Sequence, residues 1–132
     1  TTMLVGYGVS RDRGRFRYDS ARDEAVLHWP KNGDAGIQWG HIHRTATKIV
    51  GPEGVLMDTN KVVNSTWHAL GGACMGTVCD LSGRVRGQRG LYVIDGALLP
   101  GNAAACNPSM TIAAVAERAL DDLVANDVGT II

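Results

Sequence analysis

The chain lacks an excess of charge of either sign. Its 13 lysines and arginines are balanced by 13 aspartates and glutamates, so the formal net charge of the 132 residues is zero. Without a basic run or an acidic tail, nothing in it would attract a nucleic-acid backbone or an anionic lipid surface. Its apolar stretches are also far shorter than the roughly 20 residues that a membrane-spanning helix needs. The sequence therefore predicts neither a nucleic-acid partner nor a membrane span.

Cysteine and metal-ligating motifs are also scarce. Three cysteines, Cys74, Cys79 and Cys106, form an odd set without a C-x-x-C motif, which argues against a disulfide framework and a structural zinc site. We interpret them as buried free thiols that act as small apolar residues, with a Cys74–Cys79 bridge as the open alternative. His41 and His43 form an H-x-H pair, but no third ligand is near in sequence, so we predict no metal site.

The 17 glycines divide the chain into short elements. Alternating and β-type runs predict strands that pair antiparallel, and a 3.6-residue period predicts helices. The expected strands are residues 4–7, 15–18, 25–29, 55–57 and a buried strand at 91–94; the expected helices are 36–49, ended by Gly51, and about 108–126. The last helix should bury one apolar face, formed by Ile112, Ala116, Leu120, Leu123 and Val124. These elements do not complete an α/β sheet, so we expect the chain to be the end of a larger protein.

Gly6-Tyr7-Gly8 follows an apolar run, where a dinucleotide-binding fingerprint could lie. The third glycine of that motif should be at position 11, which is Arg11, and the residues that follow have no helical period. We therefore interpret the segment as part of a hairpin. The adenine half of any bound dinucleotide must then be held by residues outside this chain.

Two segments have the residues for chemistry at a ligand. His68 precedes Gly71-Gly72, and paired glycines let the backbone approach a ligand closely. An imidazole at such a site can accept the proton of an alcohol and later return it. The alternative is a histidine that only forms a hydrogen bond within a glycine-rich loop. Asn107-Pro108 is a strong helix-start signal, so one interpretation of Asn107 is that it caps the helix and has no other role. The start of a helix also stabilises negative charge, such as that of a reduced flavin, and the two roles are compatible.

Three segments together resemble the glucose–methanol–choline (GMC) oxidoreductases, most closely bacterial cholesterol oxidases. They are residues 67–76 with His68, the strand and turn at 90–99, and the Asn-Pro helix start that leads to Ala116-Glu117-Arg118. The resemblance implies the C-terminal part of an α/β (α+β) FAD-binding fold. Residues 1–64 would then give antiparallel strands and a helix to the substrate domain, and residues 65–132 would give the final strand and helix of the FAD domain.

The resemblance also implies the activity. His68 would take the proton of a sterol or related secondary alcohol, with Asn107 at the reacting carbon; hydride would pass to FAD N5, and O2 would reoxidise the flavin to give H2O2. The implied FAD-binding residues are Asp95, Gly96, Asn107, Pro108 and Ser109. An upstream segment or chain would bind the rest of FAD. Family habit favours a secreted bacterial enzyme.

Two departures weaken cholesterol as the exact substrate. Ala69 stands where the family usually has proline, and Ser109 stands where cholesterol oxidases commonly have an aromatic residue. The alternatives are a GMC dehydrogenase with an acceptor other than oxygen and a non-catalytic module that keeps the fold.

Overall fold

The computed structural model describes residues 2–30, 32–58, 67–103 and 106–132. The chain divides into two compact units, Thr1–Trp67 and His68–Ile132. The predicted domain boundary between residues 64 and 65 lies outside the described residues and stays a prediction.

The first unit contains a β-hairpin. Strand β1 (Arg15–Asp19) pairs antiparallel with β2 (Glu24–His28), and Phe16 lies opposite Leu27. The turn is closed by the hydroxyl of Tyr18, which donates to Oδ1 of Asp23 at 2.6 Å. The structure thus confirms the two strands predicted at 15–18 and 25–29.

The strand predicted at residues 4–7 is wrong, because this segment packs on a helix instead of extending the hairpin. A Cβ atom at Gly6 would collide with the side chain of Ile42, and one at Gly8 would lie 2.9 Å from Cβ of Gln38. The two glycines therefore allow close approach to the helix. No helix follows them directly, as a phosphate-binding loop would require.

Helix α1 (Asp34–Val50) confirms the helix predicted at 36–49. It begins two residues early because the Asp12 carboxylate accepts the N–H groups of Asp34 and Ala35, at 2.9 and 2.8 Å. The N–H of Ala35 is also the main cause that lowers the pKa of Asp12. The helix ends at Gly51, whose φ of 76° suits glycine. The strand predicted at 55–57 is absent, and Val55 there is 91% exposed.

The second unit is built mainly from turns around helix α2 (Ser109–Asn126). Backbone hydrogen bonds join its first loop to a 3₁₀ turn, Gly96–Leu98. The N–H groups of Gly71, Ala73 and Met75 donate to the carbonyls of Gly96, Ala97 and Leu98, at 2.8–3.1 Å. In the described part of the unit, the buried apolar side chains include Cys79, Leu98, Pro108, Ala119 and Leu123.

Two predictions for this unit need correction. Instead of a buried strand at 91–94, Tyr92 forms an isolated bridge with Arg84, and Leu91 is 52% exposed. The buried face of α2 includes Leu123, as predicted, but Leu120 and Val124 are 41% and 65% exposed. Asp127, just after the helix, is a buried charged residue that is 3% exposed. No helix in the described part of the chain is long and apolar enough to cross a bilayer.

Candidate active site

His68 lies at the start of the second unit in an unusual backbone conformation. Its φ is 59°, a left-handed value that few residues other than glycine adopt, and its side chain is partly buried. Gly71 and Gly72 follow with φ of 83° and 116°. The predicted glycine-rich loop is confirmed, and such strained positions cluster at functional sites.

The histidine loop is joined to the turn at Asp95 and Gly96. The N–H of Gly71 donates to the carbonyl of Gly96 at 3.0 Å. A Cβ atom at Gly96 would lie 3.3 Å from the carbonyl oxygen of Ala69 and 3.3 Å from Cδ1 of Ile112. Gly96 thus lets three segments meet: the histidine loop, the turn and α2. Asp95 stabilises the turn, because its Oδ1 accepts the N–H of Ala97 at 2.8 Å.

The side chain of Asn107 caps α2. Its Oδ1 accepts the backbone N–H of Ser109 at 2.9 Å and the Ser109 hydroxyl at 2.6 Å. Pro108 precedes the first assigned helical residue but already has helical angles, with φ of −81° and ψ of −5°. Its carbonyl also accepts the N–H of Ile112 at 2.9 Å. The predicted cap is confirmed in its hydrogen bonding, although the helix assignment starts one residue later than expected.

An open cleft of about 260 Å³ lies at the start of α2. Its described lining residues are Leu70, Leu99, Pro100, Asn102, Ala103, Cys106, Asn107, Pro108 and Thr111. The cleft brings Asn107 and Pro108 together with Leu70 of the histidine loop. His68, Asp95, Gly96 and Ser109 are not among the described lining residues.

Chemically, the cleft combines apolar walls with a polar end. Leu70, Leu99 and Pro100 present hydrocarbon, and the Asn107 amide can donate N–H groups to a ligand oxygen. The first turn of a helix also leaves backbone N–H groups without intrahelical acceptors, and its dipole favours negative charge. This end suits an oxygen or a ring that gains negative charge.

The cysteines are free thiols in three different environments. Cys79 is fully buried, Cys74 is partly buried and Cys106, at the cleft, is exposed. The prediction of buried thiols is therefore wrong for Cys106, and the alternative Cys74–Cys79 bridge is not formed. Burial raises the pKa of the Cys79 thiol, and the nearby charge of Asp80 adds to this effect.

His41 and His43 lie on α1, where their rings approach Arg44 and Trp39. Nδ1 of His41 lies 3.1 Å from Nη2 of Arg44, and the His43 ring lies 5.0 Å from the Trp39 ring between centroids. Among the described residues, no group of three or more His, Cys, Asp or Glu side chains could hold a metal ion.

One charged cluster has no counterpart in the sequence predictions. The Arg84 guanidinium binds both carboxylate oxygens of Asp127 and one oxygen of Asp122, and the Tyr92 hydroxyl donates to Asp127 at 2.7 Å. Arg84 lowers the pKa of both aspartates, and the hydrogen bond to Asp127 raises the pKa of Tyr92. The only local signal is the i,i+4 pair Asp80 and Arg84, whose salt bridge measures 3.5 Å.

Comparison with known proteins finds relatives that align with most of the chain. Residues 12–116 match the family model described as GMC oxidoreductase. The cholesterol oxidases of Mycobacterium tuberculosis strains CDC 1551 / Oshkosh and ATCC 25618 / H37Rv are each 36% identical in an alignment that covers 74% of this chain. The aligned region covers 21% of each relative, so the chain spans about a fifth of the length of these curated proteins.

Proposed function

The chain belongs to the GMC oxidoreductase family, and we propose that it forms the substrate side of the active site in an FAD-dependent oxidase of sterols or related secondary alcohols. The observation that carries the proposal is the cleft at the start of α2. There Asn107 lies with Leu70 of the histidine loop, in a loop and helix arrangement that Gly96 holds together. The similarity to cholesterol oxidases supports the substrate class.

The residues of the chain would divide the reaction between them. His68 would accept the proton of the substrate hydroxyl, and the Asn107 amide would donate to the substrate oxygen and fix its orientation. Leu70, Leu99 and Pro100 would exclude water and contact the hydrocarbon body of the alcohol. A conformationally constrained loop at His68 fits such a role, because proton transfer depends on the placement of the imidazole.

The donor set of the cleft fits one end of FAD. The pyrimidine end of the isoalloxazine ring is anionic when reduced, and the helix dipole at the start of α2, where Pro108 and Ser109 lie, would be favourable to it. Asp95 and Gly96 would face the ribityl and pyrophosphate part. When bound, FAD would supply the hydride acceptor and, with O2, release H2O2. The adenine half would be bound by an upstream segment or chain.

His68 provides the main test, in the complete enzyme with FAD. We expect His68→Ala to lower the rate of sterol oxidation by about 10²-fold or more with FAD still bound. His41→Ala is the matched control, because His41 lies on exposed α1, and it should leave the rate unchanged. Unchanged turnover in His68→Ala would remove the histidine from the mechanism.

Measurement of peroxide separates the proposal from its alternatives. Stoichiometric H2O2 with a sterol alcohol supports an oxidase, whereas turnover that requires an artificial electron acceptor indicates a dehydrogenase. A complete protein that is colourless and cannot be reconstituted with FAD would indicate a non-catalytic module. Bacterial secretion is a further part of the proposal and rests on the resemblance alone; recovery of the enzyme only from cell lysates would contradict it.

A further inference from the structure

The charged cluster around Arg84 lies at the end of α2 opposite to Asn107. Nε and Nη2 of Arg84 donate to Oδ2 and Oδ1 of Asp127 at 2.7 and 2.8 Å, and Nη1 donates to Oδ2 of Asp122 at 2.6 Å. Carboxylates near the C-terminus of a helix are unfavourable because the dipole is negative there. Arg84 binds both carboxylates with its single positive charge, and Asp127 is 3% exposed. We call Arg84, Asp122, Asp127 and Tyr92 the Arg84 clasp.

Arg84 is itself fixed by the loop that carries it. Oδ1 of Asp80 accepts the N–H groups of Ser82 and Arg84, each at 2.9 Å. Arg84 also forms a backbone bridge with Tyr92, whose hydroxyl binds Asp127. The clasp therefore joins the end of α2 to a loop that is held by its own hydrogen bonds.

The start of α2 is constrained by a close approach. Little free space separates Gly96 from Ile112, since a Cβ atom at Gly96 would lie 3.3 Å from Cδ1 of Ile112. Because α2 has 18 residues, about 27 Å in length, it can transmit a shift at one end to the other. A two-point arginine–carboxylate contact defines both distance and angle, which a lysine cannot reproduce.

We propose that Arg84 is a positioning residue: by fixing the C-terminal end of α2, it sets the place of Asn107 in the cleft. The effect of Arg84 on the reaction rests on the proposed function, because Asn107 lies at the reacting carbon only if that function is right. Its effect on the start of α2 can be measured independently of any activity. Catalysis is sensitive to such placement, since a shift of about 1 Å can lower a rate about 10²-fold.

The test uses the complete, FAD-loaded protein and the variants Arg84→Met and Arg84→Lys. Arg89→Met is the matched control, because Nη2 of Arg89 donates to the carbonyl of Thr130 beyond the helix, at 2.9 Å. By hydrogen exchange, we expect both Arg84 variants to exchange faster at residues 109–113 as well as at the end of α2. We expect kcat to fall about 10-fold, with a smaller change in KM. Arg89→Met should change neither quantity.

The exchange data and the kinetics have separate outcomes. Faster exchange confined to residues 118–132, with kcat unchanged, overturns the proposal and leaves the clasp as a local stabilising contact. If the wild-type protein oxidises no alcohol, the proposed function fails, while exchange at 109–113 still decides whether Arg84 positions α2. If Arg84→Met does not fold, the milder variants Arg84→Lys and Tyr92→Phe provide the same measurements. If both of these variants show the hydrogen exchange and the kinetics of the wild-type protein, the proposal is overturned.

Discussion

The carbonyl oxygen of the Asn107 side chain accepts two hydrogen bonds from Ser109, one from its backbone N–H at 2.9 Å and one from its hydroxyl at 2.6 Å. The residue proposed to contact the substrate is thus also the cap of α2. Its oxygen serves the helix, and its amide nitrogen provides donors for a ligand. The two roles can be separated by substitution.

Asn107→Asp should keep the cap and lose the donor. A carboxylate oxygen can accept the same two bonds, and its charge is favourable at a helix start. We therefore expect unfolding stability near the wild-type value but a much lower turnover. Asn107→Ala should lose about 1 kcal/mol of stability in addition to turnover. Chemical denaturation and steady-state kinetics of the complete enzyme measure the two effects.

Ser109→Ala is the matched control for the cap, because it removes the hydroxyl donor and leaves the backbone bond. We expect a stability change of about 0.5 kcal/mol or less and turnover near wild type. If Asn107→Asp keeps full activity, the amide donor has no part in the reaction.

Gly83 and Gly87 allow two effects of an added side chain to be compared. At Gly87 alanine would meet only backbone strain, and at Gly83 it would meet backbone strain and a steric clash. Both have left-handed backbone, with φ of 83° and 77°. A Cβ atom at Gly87 would meet open space, so Gly87→Ala should cost about 1–2 kcal/mol from the backbone conformation. At Gly83 a Cβ atom would collide with the carbonyl of Val93. Val93 cannot move away without breaking the hydrogen bond from its own N–H to the Gly83 carbonyl. Gly83→Ala should therefore be clearly the more destabilising variant by denaturation; equal losses would contradict this packing.

The Arg84 clasp should make stability depend on pH in the acid range. Arg84 lowers the folded-state pKa of Asp122 and Asp127, so the unfolded chain binds more protons as pH falls. The stabilisation is present above the unfolded pKa of about 3.9 and is lost as pH falls through the folded value. The stability difference between wild type and Asp127→Asn should thus be largest above about pH 5 and shrink towards pH 3. In an Arg84→Met background the same difference should depend less on pH, and equal dependence in both backgrounds would show that another group is responsible.

The hairpin and both helices could be predicted because their signals are local. Alternation in β1 and β2, the period of α1 and α2, and Gly51 at a helix end each depend on residues within a few positions. The start of α1 could not be placed so well, because the capping carboxylate is Asp12, which is 22 residues from Asp34 in sequence.

The errors have a common physical cause in long-range contacts. An apolar run at 4–7 has a β-type pattern, but its one glycine, Gly6, packs on α1, as does Gly8 just beyond it, and tertiary contact overrides propensity. On α2, Leu120 and Val124 are exposed, whereas Asp127 just after the helix is buried and bound by Arg84, which lies 43 residues before it in sequence. No periodicity contains that information.

The candidate site was accessible to sequence reasoning only in part. Motif order identified His68 and Asn107, and the cap at Asn107 follows from its residue type before proline. The meeting of three segments at Gly96 depends on two close approaches, to Ala69 and Ile112, that a single glycine in a turn does not reveal.

Cys106 gives a direct probe of the cleft, because it lines the cleft and is exposed. In the FAD-free protein we expect iodoacetamide to modify Cys106 first. Cys79 should react at least ~10-fold more slowly, since it is fully buried and burial raises its thiol pKa, which reduces the reactive thiolate. Bound FAD should slow the reaction of Cys106 and leave the order of the other thiols unchanged, as measured by mass spectrometry of the modified peptides. Equal rates at Cys106 with and without FAD would show that the flavin does not cover the cleft beside Asn107.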